Sequence, residues 1–245
     1  MGGLRWGRFS VRSYPLQSFA RSRPTGPDGW LGSSSLMLRL EENDLANMND
    51  LSERLFQIFR DPSFLSMSGQ ANEVPLFIQT YEPAQEDGVR RMVQSLAVRL
   101  QTLGITLQRI DLFELVLQEL EDFHILEDFL RDEVTFEKVE VLETLHNYSD
   151  PKAHLIPRLA RAIGNDDTQL TLITGSGRIF PFLRTHTILE SLQPVMVRHP
   201  VVIFFPGQYE QDTNGGSLLR LFGSIPSPTI VNPYYRATNL DHFRT

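Results

Sequence analysis

The chain has 245 residues and a mass of 28.0 kDa, with 41% apolar and 22% charged residues and a formal charge of −7. That is an ordinary globular composition, long enough to bury a sizeable core without covalent staples. The lack of cysteine excludes disulfides, thiolate metal sites, iron–sulfur clusters and cysteine nucleophiles, and any lysine chemistry is confined to Lys138 and Lys152 because the other basic residues are arginine.

Residues 1–47 differ from the rest. Their first part holds Arg5, Arg8, Arg12, Arg21 and Arg23 against Asp28 alone, among scattered Gly, Pro and Ser. No apolar run there reaches the length of a signal peptide or a membrane span, and nothing in it is expected to fold alone. It reads as a disordered leader, either an organellar transit peptide or an extension upstream of a true start at Met37 or Met48.

From residue 48 onward a single α/β domain is expected. Leu51, Leu55, Ile58 and Phe59 recur at helical spacing until Asp61-Pro62 closes the helix. The apolar run 74–80 reads as a buried strand. Val89, Met92, Val93, Leu96, Ala97, Leu100 and Leu103 then mark an amphipathic helix stopped by Gly104. Residues 105–112 read as a second strand, and 113–163 as three or four helices broken near Val134-Thr135 and Asp150-Pro151. A third strand is expected over 168–174, a helix over 178–193 after a Gly-Ser-Gly turn, and a fourth strand over 201–205 ending in Pro206-Gly207. Strands alternating with helices predict a parallel sheet of four to five strands with helices on both faces, carrying an all-helical insert between strands two and three.

The charge is concentrated in that insert. Residues 111–143 sum to −10, with twelve carboxylates against Arg131 and Lys138, whereas the stretch from residue 144 to the end sums to +2. Such a surface repels phosphate backbones and argues against direct nucleic-acid binding. It is either a solvated helical face or an acidic docking surface for a basic patch on a partner protein, with Glu119, Asp122 and Asp128 as candidate contacts.

Chemistry is scarce. Neither lysine follows a glycine, so there is no Walker A loop, and no serine sits in a G-x-S-x-G elbow. The six histidines show no metal-ligand spacing. No catalytic set, metal or cofactor is expected. The best ligand candidate is Gly175-Ser176-Gly177-Arg178, which follows a strand and is expected to open a helix, where backbone N–H groups and Arg178 would face an anion. The same residues equally suit a tight turn that needs small side chains. Beyond Pro206 the density of Gly and Pro predicts turns and irregular backbone. Tyr209, Tyr234, Tyr235 and Arg236 lie there, residue types that either pack on the sheet edge or anchor an interface.

Taken in order, several stretches resemble one family, the BrxB proteins of BREX bacteriophage-exclusion systems. The resemblance runs from about Leu51 to His242. It rests on L-S-E-R-L-F-Q-I-F-R-D-P-S-F-L from Leu51, on Leu172 to Gly177 with Phe180-Pro181 and Arg184, and on Pro200 to Gly207 with Tyr209. Leu219-Arg220-Leu221-Phe222 and Tyr234-Tyr235-Arg236-Ala237 complete it. The family begins near the residue matching Met48, which favours a misassigned start over a transit peptide. The resemblance implies a cytoplasmic bacterial or archaeal protein working beside the methyltransferase PglX, the phosphatase-like PglZ and the ATPase BrxC. It supplies no catalytic residues, and a non-enzymatic adaptor is the function it implies. A ligand- or nucleotide-binding α/β domain using the Gly-Ser-Gly-Arg turn is the alternative.

Overall fold

The computed structural model describes residues 46–68, 75–164, 167–193, 198–211, 217–222 and 237–243, all within the unit Leu45–Thr245. Two helices come first. Helix α1 covers 46–59 and buries Leu55, Ile58 and Phe59, as their spacing requires. Asp61 then caps α2 (Pro62–Leu65) by accepting from the Ser63 amide.

Strand β1 (Leu76–Tyr81) leads into α3 (Glu86–Thr102), whose predicted apolar face from Val89 to Leu100 is buried. Strand β2 (Leu107–Asp111) is followed by the helical insert: α4 (Leu112–Asp122), α5 (Leu126–Asp132), α6 (Lys138–Tyr148) and α7 (Ile156–Ile163). A single 3-10 turn (Glu133–Thr135) separates α5 from α6, and a π-helical turn (Pro151–Leu155), capped by Asp150, leads into α7. Both breaks fall where the sequence places them.

Strand β3 (Leu170–Thr174), α8 (Thr185–Leu192), β4 (Val201–Gln211), β5 (Ser217–Leu221) and β6 (Thr238–Asn239) complete the order. The sheet runs β2-β3-β4-β1-β6 with every neighbouring pair parallel, while β5 pairs antiparallel with the far end of β4. The α/β class and the parallel sheet expected from the sequence are therefore present.

Alternation along the strands builds a core on each face. Leu76, Ile78, Ile110, Ile173, Val201, Ile203 and Phe205 face α4, α7 and α8. Phe77, Tyr81, Leu170, Leu172, Val202 and Phe204 face α1, α2 and α3. The chain leaves β1 across the α3 face to the distant β2, then steps back through β3 to β4 with its helices on the opposite face. The winding direction thus reverses beside β1. That places the topological switch of the sheet at the carboxyl ends of β1 and β4, where open sheets of this kind hold ligands.

Three expectations need correction. The helix expected over 178–193 begins only at Thr185. Pro181 lacks an N–H and disfavours helical backbone at Phe180, so 178–184 is a series of turns. The fourth strand does not end at Phe205. It continues through Pro206, which pairs with Tyr81, and Gly207, which pairs with Leu221. The backbone beyond it is correspondingly more regular than its glycine and proline content predicts, since 217–221 is a strand that closes a hairpin on β4.

Candidate functional site

The carboxyl edge of the sheet collects most of the polar side chains that matter. Asp111, the last residue of β2, caps α4 by accepting from the amides of Phe113 (2.9 Å) and Glu114 (3.3 Å). It also draws in Arg178 Nη1 at 3.4 Å, Arg90 Nε at 3.9 Å and the Thr174 hydroxyl at 3.4 Å. The Arg178 guanidinium lies 4.3 Å from the centroid of the Phe113 ring. Asp111 is thus a hub joining the ends of β2 and β3 to the first turns of α3 and α4.

The Gly-Ser-Gly-Arg turn is built around that hub. Gly175 has φ +81°, and a Cβ there would lie 2.7 Å from an Asp111 carboxylate oxygen. Ser176 is buried and donates its hydroxyl to the Phe204 carbonyl at 2.8 Å. A Cβ on Gly177 would come within 2.6 Å of the Pro206 ring. Each glycine therefore has a packing reason, and Arg178 is turned toward a carboxylate of its own chain. An anion would have to displace Asp111 to engage Arg178, and the adjacent N-terminus of α4 is already capped by that same carboxylate. The structure brings Gly175, Ser176, Gly177 and Arg178 together as a tight, internally bonded turn.

Next to them Tyr81 donates its hydroxyl to Glu86. Burial raises the Glu86 carboxyl above its ordinary value, opposed by the Tyr81 hydrogen bond and by Arg178. The Tyr81 hydroxyl is also raised, first by burial and then by the Glu86 charge. For a carboxyl raised on folding, the native state holds the proton more tightly than the unfolded chain. Stability is then fully present below the unfolded value and falls as pH rises through the raised one. Glu86→Gln is therefore expected to flatten the decline of melting temperature with rising pH above the ordinary carboxyl range. A wild-type slope in the variant would refute the assignment.

A cleft of about 530 Å³ opens at the switch itself, between α1, the ends of β1 and β4, and the segment after β6. Its floor is a hydrogen-bonded set around Asp241. That carboxylate accepts from Arg54 (2.9 Å), Gln79 (2.8 Å) and Thr80 (2.7 Å), while Arg54 also donates to the Leu240 carbonyl and to Gln79. Asp50 and Glu82 line the same cleft, and Arg54 is the one basic residue among the described residues that line it. Three carboxylates around an arginine already engaged by its own chain make the cleft a poor host for phosphates. Tyr209 lines it too and donates its hydroxyl to the Ala237 carbonyl at 3.1 Å, tying β4 to the C-terminal segment.

The insert candidates separate. Glu119, expected on the acidic surface, is buried: its side chain is 8% exposed and accepts from Arg158 on α7 at 2.8 Å. It lies on the inward face of α4 with Leu112, Leu115, Val116 and Leu120, and a carboxylate there requires a cation. Asp122 shares the same arginine at 2.7 Å from the solvent side. Asp128 is exposed and paired with Arg131 at 2.8 Å. Tyr234, Tyr235 and Arg236 lie outside the described residues. Tyr209 lines the cleft and packs against the core on the α4 and α7 face of the sheet.

Sequence reasoning missed the Asp111 hub and the Arg54–Gln79–Asp241 set. Gln79 inside the apolar run of β1 was the available signal, because a buried amide in a central strand needs partners. Among the described residues no three His, Cys, Asp or Glu side chains are arranged to hold a metal, and no helix is long and apolar enough to cross a membrane.

Comparison with known proteins gives a consistent result. The family model described as BREX protein BrxB matches residues 108–240. A BREX protein BrxB from Bacillus cereus (strain H3081.97) is 30% identical over 202 residues, covering 79% of this chain and 98% of that relative. A BREX protein BrxB from Escherichia coli O9:H4 (strain HS) is 24% identical over 186 residues, covering 72% of this chain and 92% of the relative. No solved structure matches.

Proposed function

The chain belongs to the BREX protein BrxB family and so is a component of a BREX system, and from that premise we propose that it is a non-enzymatic assembly subunit that binds other proteins of the defence complex. One observation carries the reading. Of the eight large apolar side chains exposed among the described residues, five (Phe123, Leu130, Val134, Val139 and Tyr148) lie in the acidic helical insert. A surface that is both apolar and strongly charged fits a protein interface better than a merely solvated face. PglX, PglZ and BrxC, the proteins that the family resemblance places beside it, are the candidate partners.

Affinity purification from cells carrying the complete operon tests this. Wild-type protein is expected to recover at least one BREX protein, and recovery of the subunit alone would end the proposal. Reversing Glu127, Asp128 and Glu143 to lysine, all exposed, is expected to weaken that recovery more at low than at high salt. Unchanged recovery would remove the insert from the contact.

Nucleotide binding is the competing reading. The acidic lining of the cleft and the internal pairing of Arg178 argue against it. Thermal melts with ATP or S-adenosylmethionine are expected to show no shift, whereas a ligand at a hundredfold its Kd would add about 2.7 kcal/mol. A shift abolished by Arg178→Ala would favour the competing reading.

A further inference from the structure

We propose that the outer face of α5 and the start of α6 seats a basic amphipathic helix supplied by a partner protein. The inference rests on the assembly role above and specifies the kind of element that the insert accepts.

Helix α5 and the 3-10 turn after it are two-sided. Phe129 points inward, buried, with its ring centroid 6.4 Å from that of Phe136. Leu130 and Val134, four residues apart and so on one face of a continuous helical stretch, are 48% and 79% exposed. Val139, at the start of α6, is 65% exposed. Helix α6 has no fully buried residue over its 11 positions; Leu142 and Leu145 pack against the core beneath it, and the His146 ring stands edge-on to Phe182 at 5.1 Å. The chain thus spends its inward contacts on a few side chains and leaves Leu130, Val134 and Val139 exposed within ten residues of one another, the apolar ridge of the proposal.

The charge around the ridge narrows what can cover it. Residues 126–148 hold seven carboxylates against Arg131 and Lys138. Arg131 is itself paired with Asp128 (2.8 Å) and Asp132 (2.9 Å). An apolar but uncharged partner would strand those carboxylates beside a newly dry surface, and an acidic one would be repelled. The complementary element buries aliphatic side chains on the ridge and flanks them with Lys or Arg. It is a helix because residues 112–163 contain no strand and hence no open edge for strand addition. A one-turn apolar spacing such as Leu130–Val134 matches the i, i+3/i+4 anchors of a helix laid against helices.

The full chain, titrated by fluorescence anisotropy with a labelled Leu/Lys peptide patterned as an amphipathic helix, provides the test. A peptide of the same composition scrambled to destroy the amphipathic pattern is the comparator. The patterned peptide is expected to bind about tenfold more tightly than the scrambled one. The Val134→Asp/Val139→Asp protein is expected to lose that margin, as is the milder Val134→Asn/Val139→Asn pair. Leu103→Asp, on an exposed apolar residue after α3, is expected to keep it. Equal binding of the two peptides, or an unchanged margin in folded Val134/Val139 variants, would overturn the inference. Purification of the same variants from operon-bearing cells separates the two levels. Undiminished recovery of BREX proteins would place the contact elsewhere and refute the docking element, leaving the assembly role standing. Failure of the wild type to recover any would refute the assembly role itself.

Discussion

Gly207→Ala is expected to destabilise the protein by about 3 kcal/mol, the upper range for forcing an extra carbon into a packed region. In a domain of this size that lowers the melting temperature by roughly 6–12 °C. Gly207 has φ +156°, and a Cβ built on it would lie 2.0 Å from the Arg220 carbonyl oxygen, on the facing strand β5. The obstacle is backbone, so no side-chain rotation relieves it. The consequences spread, because β5 delivers Phe222 to the carboxyl edge. The Phe222 amide donates to the Pro206 carbonyl at 2.9 Å, and its ring stands edge-on to Phe180 at 6.0 Å. Loosening β5 therefore loosens the turn that holds Arg178 on Asp111. Gly104→Ala is the control: Gly104 also has positive φ (+79°) but has nothing within 4 Å of a new Cβ. It is expected to cost about 1 kcal/mol, the backbone penalty alone. A Gly207→Ala protein that melts no lower than Gly104→Ala would mean that the strands do not approach as closely as described.

The same residue shows where sequence reading stops. Periodicity identifies β1, β3 and the start of β4 because each buries both faces as a short apolar run, and α1 and α3 because one face of each is apolar, whereas the edge strand β2 buries only Ile110. Those signals are local. Pro206-Gly207 carries the local signal of a chain stop, yet here the glycine is needed because another backbone comes close, a property of the partner strand and invisible in the residue itself. The Gly-Ser-Gly turn is the complementary case. Its place after β3 is legible, but whether its arginine is free for a ligand depends on Asp111, 67 residues away along the chain. Glu119 fails for the same reason. In a stretch with twelve carboxylates, only its position on the apolar face of α4 marks it as the buried one.

These distinctions sort the molecule into two regions. At the carboxyl edge the buried or central charged groups are matched within the chain, Asp111 by Arg178 and Arg90, Asp241 by Arg54, and Glu86 by the Tyr81 hydroxyl. Matched groups in tight turns hold a sheet together. On the insert, residues 113–163, twelve carboxylates stand against five cations, and apolar side chains stand exposed among them. Unmatched charge beside uncovered apolar surface is a stability cost that a partner can relieve, and this is why the assembly role is assigned to the insert.

Arg158→Ala is expected to destabilise the protein by about 3 kcal/mol, the lower range for stripping one partner from a buried ion pair, since Arg158 itself is partly exposed. Its Nη1 bridges Glu119 at 2.8 Å and Asp122 at 2.7 Å, joining α4 to α7 across the base of the insert. Both carboxylates hold the guanidinium proton above its ordinary affinity, through hydrogen bonds to Glu119 first and Asp122 second. Removing the arginine leaves Glu119 charged in an apolar setting with Leu115, Val116 and Leu120 beside it. Replacing both Glu119 and Arg158 with leucine leaves no charge stranded and is expected to fall within about 1 kcal/mol of the wild type. Chemical denaturation of Glu119→Leu, Arg158→Leu and the double leucine variant measures the coupling directly. If the single and double replacements cost the same, the pair is not buried as described. The double variant also isolates the role of the clamp in presenting the insert. Glu119 is inward-facing and lies outside the proposed contact, so the Leu/Leu protein is expected to recover BREX partners as the wild type does. The Arg158→Ala protein, with α4 loosened from α7, is expected to recover less.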